Sequence, residues 1–369
     1  MSVRCPRCDG IYPNGANFCT KDGTRLVPMP SSAPVPPAAS APTPAHPGLR
    51  RHRGTTTRDA SPAPPAAGSL ELSKLVGQVL DDRYRVAKKL GEGGMSHVFL
   101  ALDITSGERV AIKILSPSLS KDKSALARLR REAALGSRLA HPNVCHIIRM
   151  GETEYGLIYI VMPYIEGELL CDITYRAGQL SLEHTVRFVR DIAAGLHVAH
   201  TLGIIHRDLK PENVIISAAS GQERAVVMDF GLAKERRVGP EIGKLTATGI
   251  VLGTPEFMSP EQLRGKPLDP RSDIYSLALM AYEMLTGKLP FIGRSQQDVM
   301  IARLKGDPLP LREVRPELSF PPRVNEVLAK ALARDPAQRY ATAPEMAEAL
   351  ESAASGKGGS GVLGRLLGR

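Results

Sequence analysis

Between residues 84 and 115, three short stretches rich in apolar positions are separated by polar turns: Tyr84–Leu90, Val98–Asp103 and Arg109–Leu115. Their short length, their β-branched and aromatic residues and the turns between them predict strands, joined by a Gly-rich turn and by ITSGE. Residues 122–140 carry apolar positions at helical spacing, and 146–162 predict two more strands around a turn at Tyr155–Gly156. Beyond Gly178 helical periodicity takes over. One helix is predicted from Ser181, a hydroxyl N-cap, to Gly203, a stop. Another, IYSLALMAYEML over 274–285, is apolar nearly all round and runs up to Gly287, which predicts a deeply buried helix. The expected fold class is α+β, with a small β-rich lobe carrying one helix and a larger helical lobe after it.

The pattern fades at both ends. Residues 28–69 hold 11 of the 30 prolines and almost no large apolar side chains, so 28–75 reads as a Pro/Ala/Ser-rich disordered linker. Residues 353–369 form a Gly-rich basic tail, and 1–27 form a separate Cys-containing module. This leaves 76–352 as the main globular domain. Charge changes the picture only by its placement. Of the net +10, the segments 1–27, 28–75 and 352–369 carry +2, +3 and +3, so the long middle region is close to balanced. A nucleic-acid-binding core would concentrate the excess on a folded face, so no nucleic-acid partner is expected. No apolar run reaches the length of a membrane span, and the first residues lack a signal-peptide core. Five cysteines, three of them within the first 19 residues, fit a reducing, cytoplasmic location better than a disulfide framework.

The chemistry-bearing residues sit at the turns and strand ends. GEGGMSHV (91–98) places Gly91, Gly93 and Gly94 where backbone amides can approach a polyphosphate that any Cβ would obstruct. VAIK ends a strand with Lys113, which needs an acidic partner. Glu132, on the apolar face of the 122–140 helix, supplies one; a surface glutamate among arginines is the plainer reading of that residue alone. HRDLKPEN (206–213) spaces Asp208 and Asn213 five apart with Lys210 between, and DFG follows with Asp229. Asn213 and Asp229 offer hard oxygen ligands suited to magnesium, leaving Asp208 to take a hydroxyl proton. Each tripeptide alone could be a turn; their order and spacing argue against coincidence.

GxGxxxxV, VAIK, a helical Glu, HRDLKPEN, DFG and SPE in this order resemble the protein kinases, most closely the bacterial eukaryotic-type serine/threonine kinases, over about residues 84–350. The resemblance implies the bilobal kinase fold and an ATP-dependent, non-specific serine/threonine kinase with Mg2+, or Mn2+, as metal. It implies catalytic roles for Asp208 as base, Lys210 as charge neutraliser, Lys113 on the ATP phosphates, and Glu132 as the lysine's partner. ATP would be enclosed by Gly91, Gly93, Gly94, Val98, Ala111, Lys113 and the gatekeeper Met162, with adenine received by the backbone of Pro163 and Ile165. Asn213 and Asp229 would hold the metal. Thr246 and Thr248 match the activation-loop positions where related kinases autophosphorylate, and Arg207 would pair with that phosphate. Protein substrates and a transient homodimer for autophosphorylation follow as partners. A pseudokinase scaffold is the alternative, disfavoured because Lys113, Glu132, Asp208, Asn213 and Asp229 are all intact. Glu261 with Arg339 resembles the family's buried ion pair, and Asp273 its loop anchor. His206 is expected to be structural, packing beneath Phe230. Cys145 and Cys171 are expected to be buried thiols. Gly136 replaces an apolar side chain that usually bridges to Phe230.

The module at 1–27 contains CPRC and FCTKDGT. Cys5, Cys8 and Cys19 have zinc-knuckle spacing, with Asp22 where a fourth thiolate would stand. It resembles the short zinc ribbons found before some bacterial kinase domains, which implies Zn2+ held by Cys5, Cys8, Cys19 and Asp22. A metal-free relic and a redox pair are the alternatives, the latter lacking a thioredoxin-like βαβ pattern.

Overall fold

A computed structural model describes residues 3–4, 11–12, 27–28, 75–93, 96–116, 123–153, 156–219, 221–230 and 255–356. The chain divides into two compact units, Met1–Pro65 and Ala66–Arg369. The first contains three two-residue strands, β1 (Val3–Arg4), β2 (Ile11–Tyr12) and β3 (Val27–Pro28), paired antiparallel in the order β2-β1-β3. Cys5, Cys8, Cys19 and Asp22 lie outside the described residues.

The second unit begins with a six-stranded antiparallel sheet: β4 (Val79–Leu80), β5 (Tyr84–Gly93), β6 (Ser96–Asp103), β7 (Arg109–Leu115), β8 (Arg149–Glu152) and β9 (Ile158–Pro163), ordered β4-β5-β6-β7-β9-β8. β7 has the predicted bounds, and β5 and β6 extend further into the Gly-rich turn. The sheet curls until its two edges meet. Asp81, just after β4, accepts hydrogen bonds from Tyr159 Oη on β9 and from Arg149 Nη2 on β8, the latter at 3.1 Å. Inside the curl lie Tyr84, Val86, Phe99, Ile112 and Ile114, none more than 1% exposed. The opposite face packs helix α1 (Lys123–Gly136) through Leu129 and Ala133 against Leu115, Ile147 and Ile160. α1 stops at Gly136, four residues short of the predicted end. A Cβ at Gly136 would lie 2.8 Å from Ile147 Cδ1, so Ile147 fills the space a larger residue would take. Glycine's poor helix propensity completes the stop.

The remaining elements form the helical lobe: β10 (Glu168–Leu169), α2 (Leu170–Ala177), α3 (Leu182–Thr201), β11 (Val214–Ser217), β12 (Arg224–Val227), α4 (Pro260–Leu263), α5 (Pro270–Thr286), α6 (Gln296–Lys305), α7 (Leu311–Val314), α8 (Pro322–Ala331) and α9 (Ala343–Ala354). Ser181 caps α3 as predicted, its hydroxyl accepting from the His184 amide at 3.1 Å. α5 is the central pillar. Every residue from Ser272 to Tyr282 is buried, which accounts for the absence of a polar face in its sequence. It ends at Gly287 in the left-handed region (φ 68°), where a Cβ would fall 1.9 Å from the Gly178 carbonyl oxygen. No other residue fits that turn. Among the described residues no helix is long and apolar enough to cross a membrane.

Candidate active site

The loop between α3 and β11 is held by a single carboxylate. Asp273, at the start of α5, is 1% exposed. Its Oδ2 accepts from the His206 amide at 2.8 Å and its Oδ1 from the Arg207 amide at 3.0 Å, while His200 Nε2 lies 2.8 Å from Oδ2. These bonds hold Arg207 at φ 66°, a conformation costly for a side-chain-bearing residue unless its surroundings enforce it. Gln262 Nε2, from α4, donates to the Arg207 carbonyl at 2.6 Å and closes the loop from the other side. Asp208 is therefore presented by a backbone that is fixed on both flanks.

His206 is not available as a base. Its Nε2 faces the Met228 carbonyl at 2.8 Å, which requires the Nε2–H tautomer. Nδ1 then accepts from the Asp208 amide at 3.4 Å. The ring stacks edge-on against Phe230, with centroids 4.8 Å apart, in the packing role read from the sequence.

Around this loop the sequence-selected residues converge. Lys210 Nζ is 3.7 Å from Asp208 Oδ2. Asn213 Nδ2 donates to the Asp208 carbonyl at 2.7 Å and to its Oδ2 at 3.2 Å. With the amide nitrogen so engaged, Asn213 Oδ1 is the atom left to ligate a cation. Met228 N bonds to the Asn213 carbonyl at 2.9 Å, which places Asp229 beside Asn213. Asp229 adopts φ 59°, and its Oδ2 is 2.8 Å from Lys113 Nζ on β7. The lysine thus pairs with Asp229 in this structure. Glu132, the partner expected for Lys113, is half-buried on α1. Two carboxylates, an amide oxygen and two lysines along one cleft suit a divalent cation and a polyphosphate.

The apolar end of the cleft is one packed group. Ala111, Met162, Val98, Ile165 and Met228 belong to the cluster that also contains Cys145 and Ile160. Gly91 is exposed at the rim, and Gly94 lies outside the described residues, as do Thr246 and Thr248. Cys145 Sγ is 3.7 Å from the Pro163 carbonyl; burial pushes its thiol up to about 12, with Asp229 reinforcing the shift, so it stays a thiol at neutral pH. Cys171 is half-buried, not buried as expected, because it sits on α2 near the surface of the lobe.

Glu283, Gln262 and Arg303 bear on this region without having been marked in the sequence. Glu283 had a visible signal, as the only acid in IYSLALMAYEML. Burial pushes its carboxyl up to about 7, with the neighbouring Glu212 and Glu256 adding to the rise. A carboxyl raised in the folded state contributes stability in full below its unfolded value of roughly 4.3 and loses it as pH rises to the folded value. Glu283→Gln is therefore expected to match the parent protein at acid pH and to melt higher above pH 7. Thermal melts across that window check this, and superimposable curves would refute it.

Comparison with known proteins places this geometry. The family model described as protein kinase domain matches residues 84–352. The chain is 42% identical over 270 residues to serine/threonine-protein kinase PknB of Mycobacterium leprae, covering 72% of this chain and 42% of that one. It is 38% identical over 274 residues to serine/threonine-protein kinase pkn3 of Myxococcus xanthus, covering 74% and 50%. It thus spans about half the length of the curated relatives it matches. The crystal structure of the Mycobacterium tuberculosis PknI kinase domain superimposes with a TM-score of 0.60 at 29% identity, covering 76% of this chain and 99% of that one.

Proposed function

The chain belongs to the protein kinase family, and from that premise we propose that it is a serine/threonine protein kinase transferring the γ-phosphoryl group of ATP to serine and threonine hydroxyls of proteins. The observation that supports this most is the convergence of Asp208, Lys210, Asn213, Asp229 and Lys113 along one cleft, at the distances above. Bound Mg2+ or Mn2+ supplies charge neutralisation at the phosphates, and Asn213 Oδ1 with the Asp229 carboxylate would hold it. Val98, Ala111 and Met162 would enclose adenine, with the Pro163 and Ile165 backbone at its edge. Asp208 orients the acceptor hydroxyl and takes its proton, and Lys210 offsets charge on the transferred group. Lys113 would pair with Glu132 when the metal claims Asp229, which makes seating of α1 part of activation.

We assign this activity to residues 76–352, tethered by the linker 28–75 and followed by the tail 353–369, in a cytoplasmic protein. Autophosphorylation at Thr246 and Thr248, through a transient homodimer, would supply the phosphate that Arg207 pairs with. Incubation of the full chain with Mg·ATP is expected to raise its intact mass in phosphate increments, with sites mapping to those two threonines. No gain, and no transfer to a generic protein acceptor, would overturn the reading. For residues 1–27 the proposal is a zinc-ribbon-like recognition module holding Zn2+ through Cys5, Cys8, Cys19 and Asp22. Freshly purified protein is expected to contain about one zinc per chain by elemental analysis; zinc-free protein would favour the relic.

A further inference from the structure

The largest fully buried side chain belongs to an arginine that gives its hydrogen bonds to backbone carbonyls. Arg303, on α6, is 0% exposed. Its Nη1 donates to the carbonyls of Pro255 at 2.7 Å and Met258 at 3.0 Å, and its Nη2 donates to the carbonyl of Glu256 at 2.6 Å. Nε has no hydrogen-bond partner among the described residues, and the guanidinium lies over Phe291 at 5.6 Å from the ring centre. Desolvation lowers the pKa of this group, and the nearby Tyr275 and Glu256 offset only part of that effect. Such burial is costly, and filling a core needs no charge; a methionine would occupy the space more cheaply. What the arginine provides is a fork of charged donors that can gather three carbonyls of one short segment.

That segment leads to the active-site loop. Residues 255–257 form a single 3₁₀ turn, and Ser276 Oγ on α5 donates to the Phe257 carbonyl at 2.8 Å. Ser259 and Gln262 then form a reciprocal capping box at the start of α4. The same Gln262 donates to the Arg207 carbonyl, next to Asp208. One short run of chain is thus anchored to α6 at its beginning, to α5 in its middle and to the Asp208 loop at its end. Glu256 and Glu212, the latter five residues from Arg207, both lie close enough to act on Glu283. The 255–258 turn is tied, through Gln262, to the backbone beside Asp208.

We propose that Arg303 is a positioning residue for phosphoryl acceptance, fixing residues 255–258 as the ledge on which the acceptor polypeptide lies beside Asp208. The proposal rests on the kinase reading above. It separates binding of protein from binding of nucleotide, because Arg303 touches no part of the cleft that would hold ATP. Water, which needs no ledge, should still accept the phosphoryl group normally.

The test uses the full chain and its Arg303→Lys and Arg303→Met variants, with Mg·ATP and myelin basic protein as acceptor. Arg303→Met is expected to raise the acceptor KM by about tenfold or more, while the ATP KM and the rate of ATP hydrolysis without acceptor stay within about twofold. Arg303→Lys, which keeps the charge but cannot span three carbonyls, should fall between and carries the test if the methionine variant does not fold. Hydrogen exchange should accelerate at amides 256–263 and not in β7. An unchanged acceptor KM in an active protein, a parallel loss in acceptor and ATP parameters, or unchanged exchange at 256–263 would each overturn the proposal. Inactivity of the unsubstituted protein would instead remove the kinase reading, with the exchange data still deciding whether Arg303 orders the ledge.

Discussion

Asp208→Asn is expected to lower the initial rate of phosphoryl transfer by about 10²–10⁴-fold, the usual contribution of a positioned general base. The substitution is nearly isosteric, and the hydrogen bond from Asn213 Nδ2 to the residue 208 backbone carbonyl does not depend on the side chain. Loop geometry should survive for a second reason. Asp273 holds the amides of His206 and Arg207, and Gln262 holds the Arg207 carbonyl, all through backbone atoms. What is lost is the carboxylate 3.7 Å from Lys210 that would orient a hydroxyl and accept its proton. Nucleotide affinity should therefore persist, because Lys113 and Asp229 are untouched. Initial rates with labelled ATP and direct nucleotide titration measure the two effects separately. Parent-like transfer by this variant would show that Asp208 is not the base.

The largest stability effect is expected at Arg339. Its guanidinium meets Glu261 through two bonds of 2.7 and 2.8 Å, donates to the Ala333 and Arg271 carbonyls, and stacks over Tyr275 at 4.7 Å. Ser272 donates a further bond to Glu261 at 2.6 Å. Burial pushes the Glu261 carboxyl up, but Arg339 and Ser272 outweigh it and leave the group below its ordinary value. Arg339→Met strands that carboxylate in a 5% exposed position, at a cost of about 3–5 kcal/mol. For a lobe of this size the melting temperature should fall by more than about 6 °C. The double variant Glu261→Met with Arg339→Met should recover part of the loss, because it removes the charge along with its partner. A double variant less stable than the single one would show that Glu261 is not stranded without Arg339, its Ser272 bond being enough to satisfy it. The pair's contribution exists above the unfolded carboxyl value and fades as pH falls through the lower folded one, so the gap between parent and variant should narrow in acid.

Local chemistry carried most of what could be read from the chain. Arg109–Leu115 is a short, largely apolar β-branched run that starts just after the polar ITSGE turn, which made the strand legible, and Ser181 announced α3 through a cap that works within one turn. The HRDLKPEN and DFG residues were legible because kinase chemistry fixes their type at fixed spacing, and β11, β12 and the α5 anchor then bring them together. Two kinds of feature were not legible. One is a side chain serving backbone atoms far away in sequence, as Gln262 does for residue 207 and Arg303 for residues 255–258. A carbonyl has no residue type, so such a partnership leaves no complementary letter. The other is an ion pair between elements far apart in sequence, as when Lys113 on β7 meets Asp229 beyond β12. Gly136 belongs with these cases, since the helix end depends on Ile147 filling its place from another segment.

The curl of the N-terminal sheet bears on how the protein behaves in a crowded solution. An open ladder of backbone donors and acceptors can recruit a strand from another molecule. Here one border strand is only two residues long and the other four, and Arg149 sits on the longer one. The Asp81 clasp draws both borders toward each other and engages that arginine. A foreign strand arriving at either border finds too short a template to nucleate on, so a sheet of six strands is kept from growing a seventh.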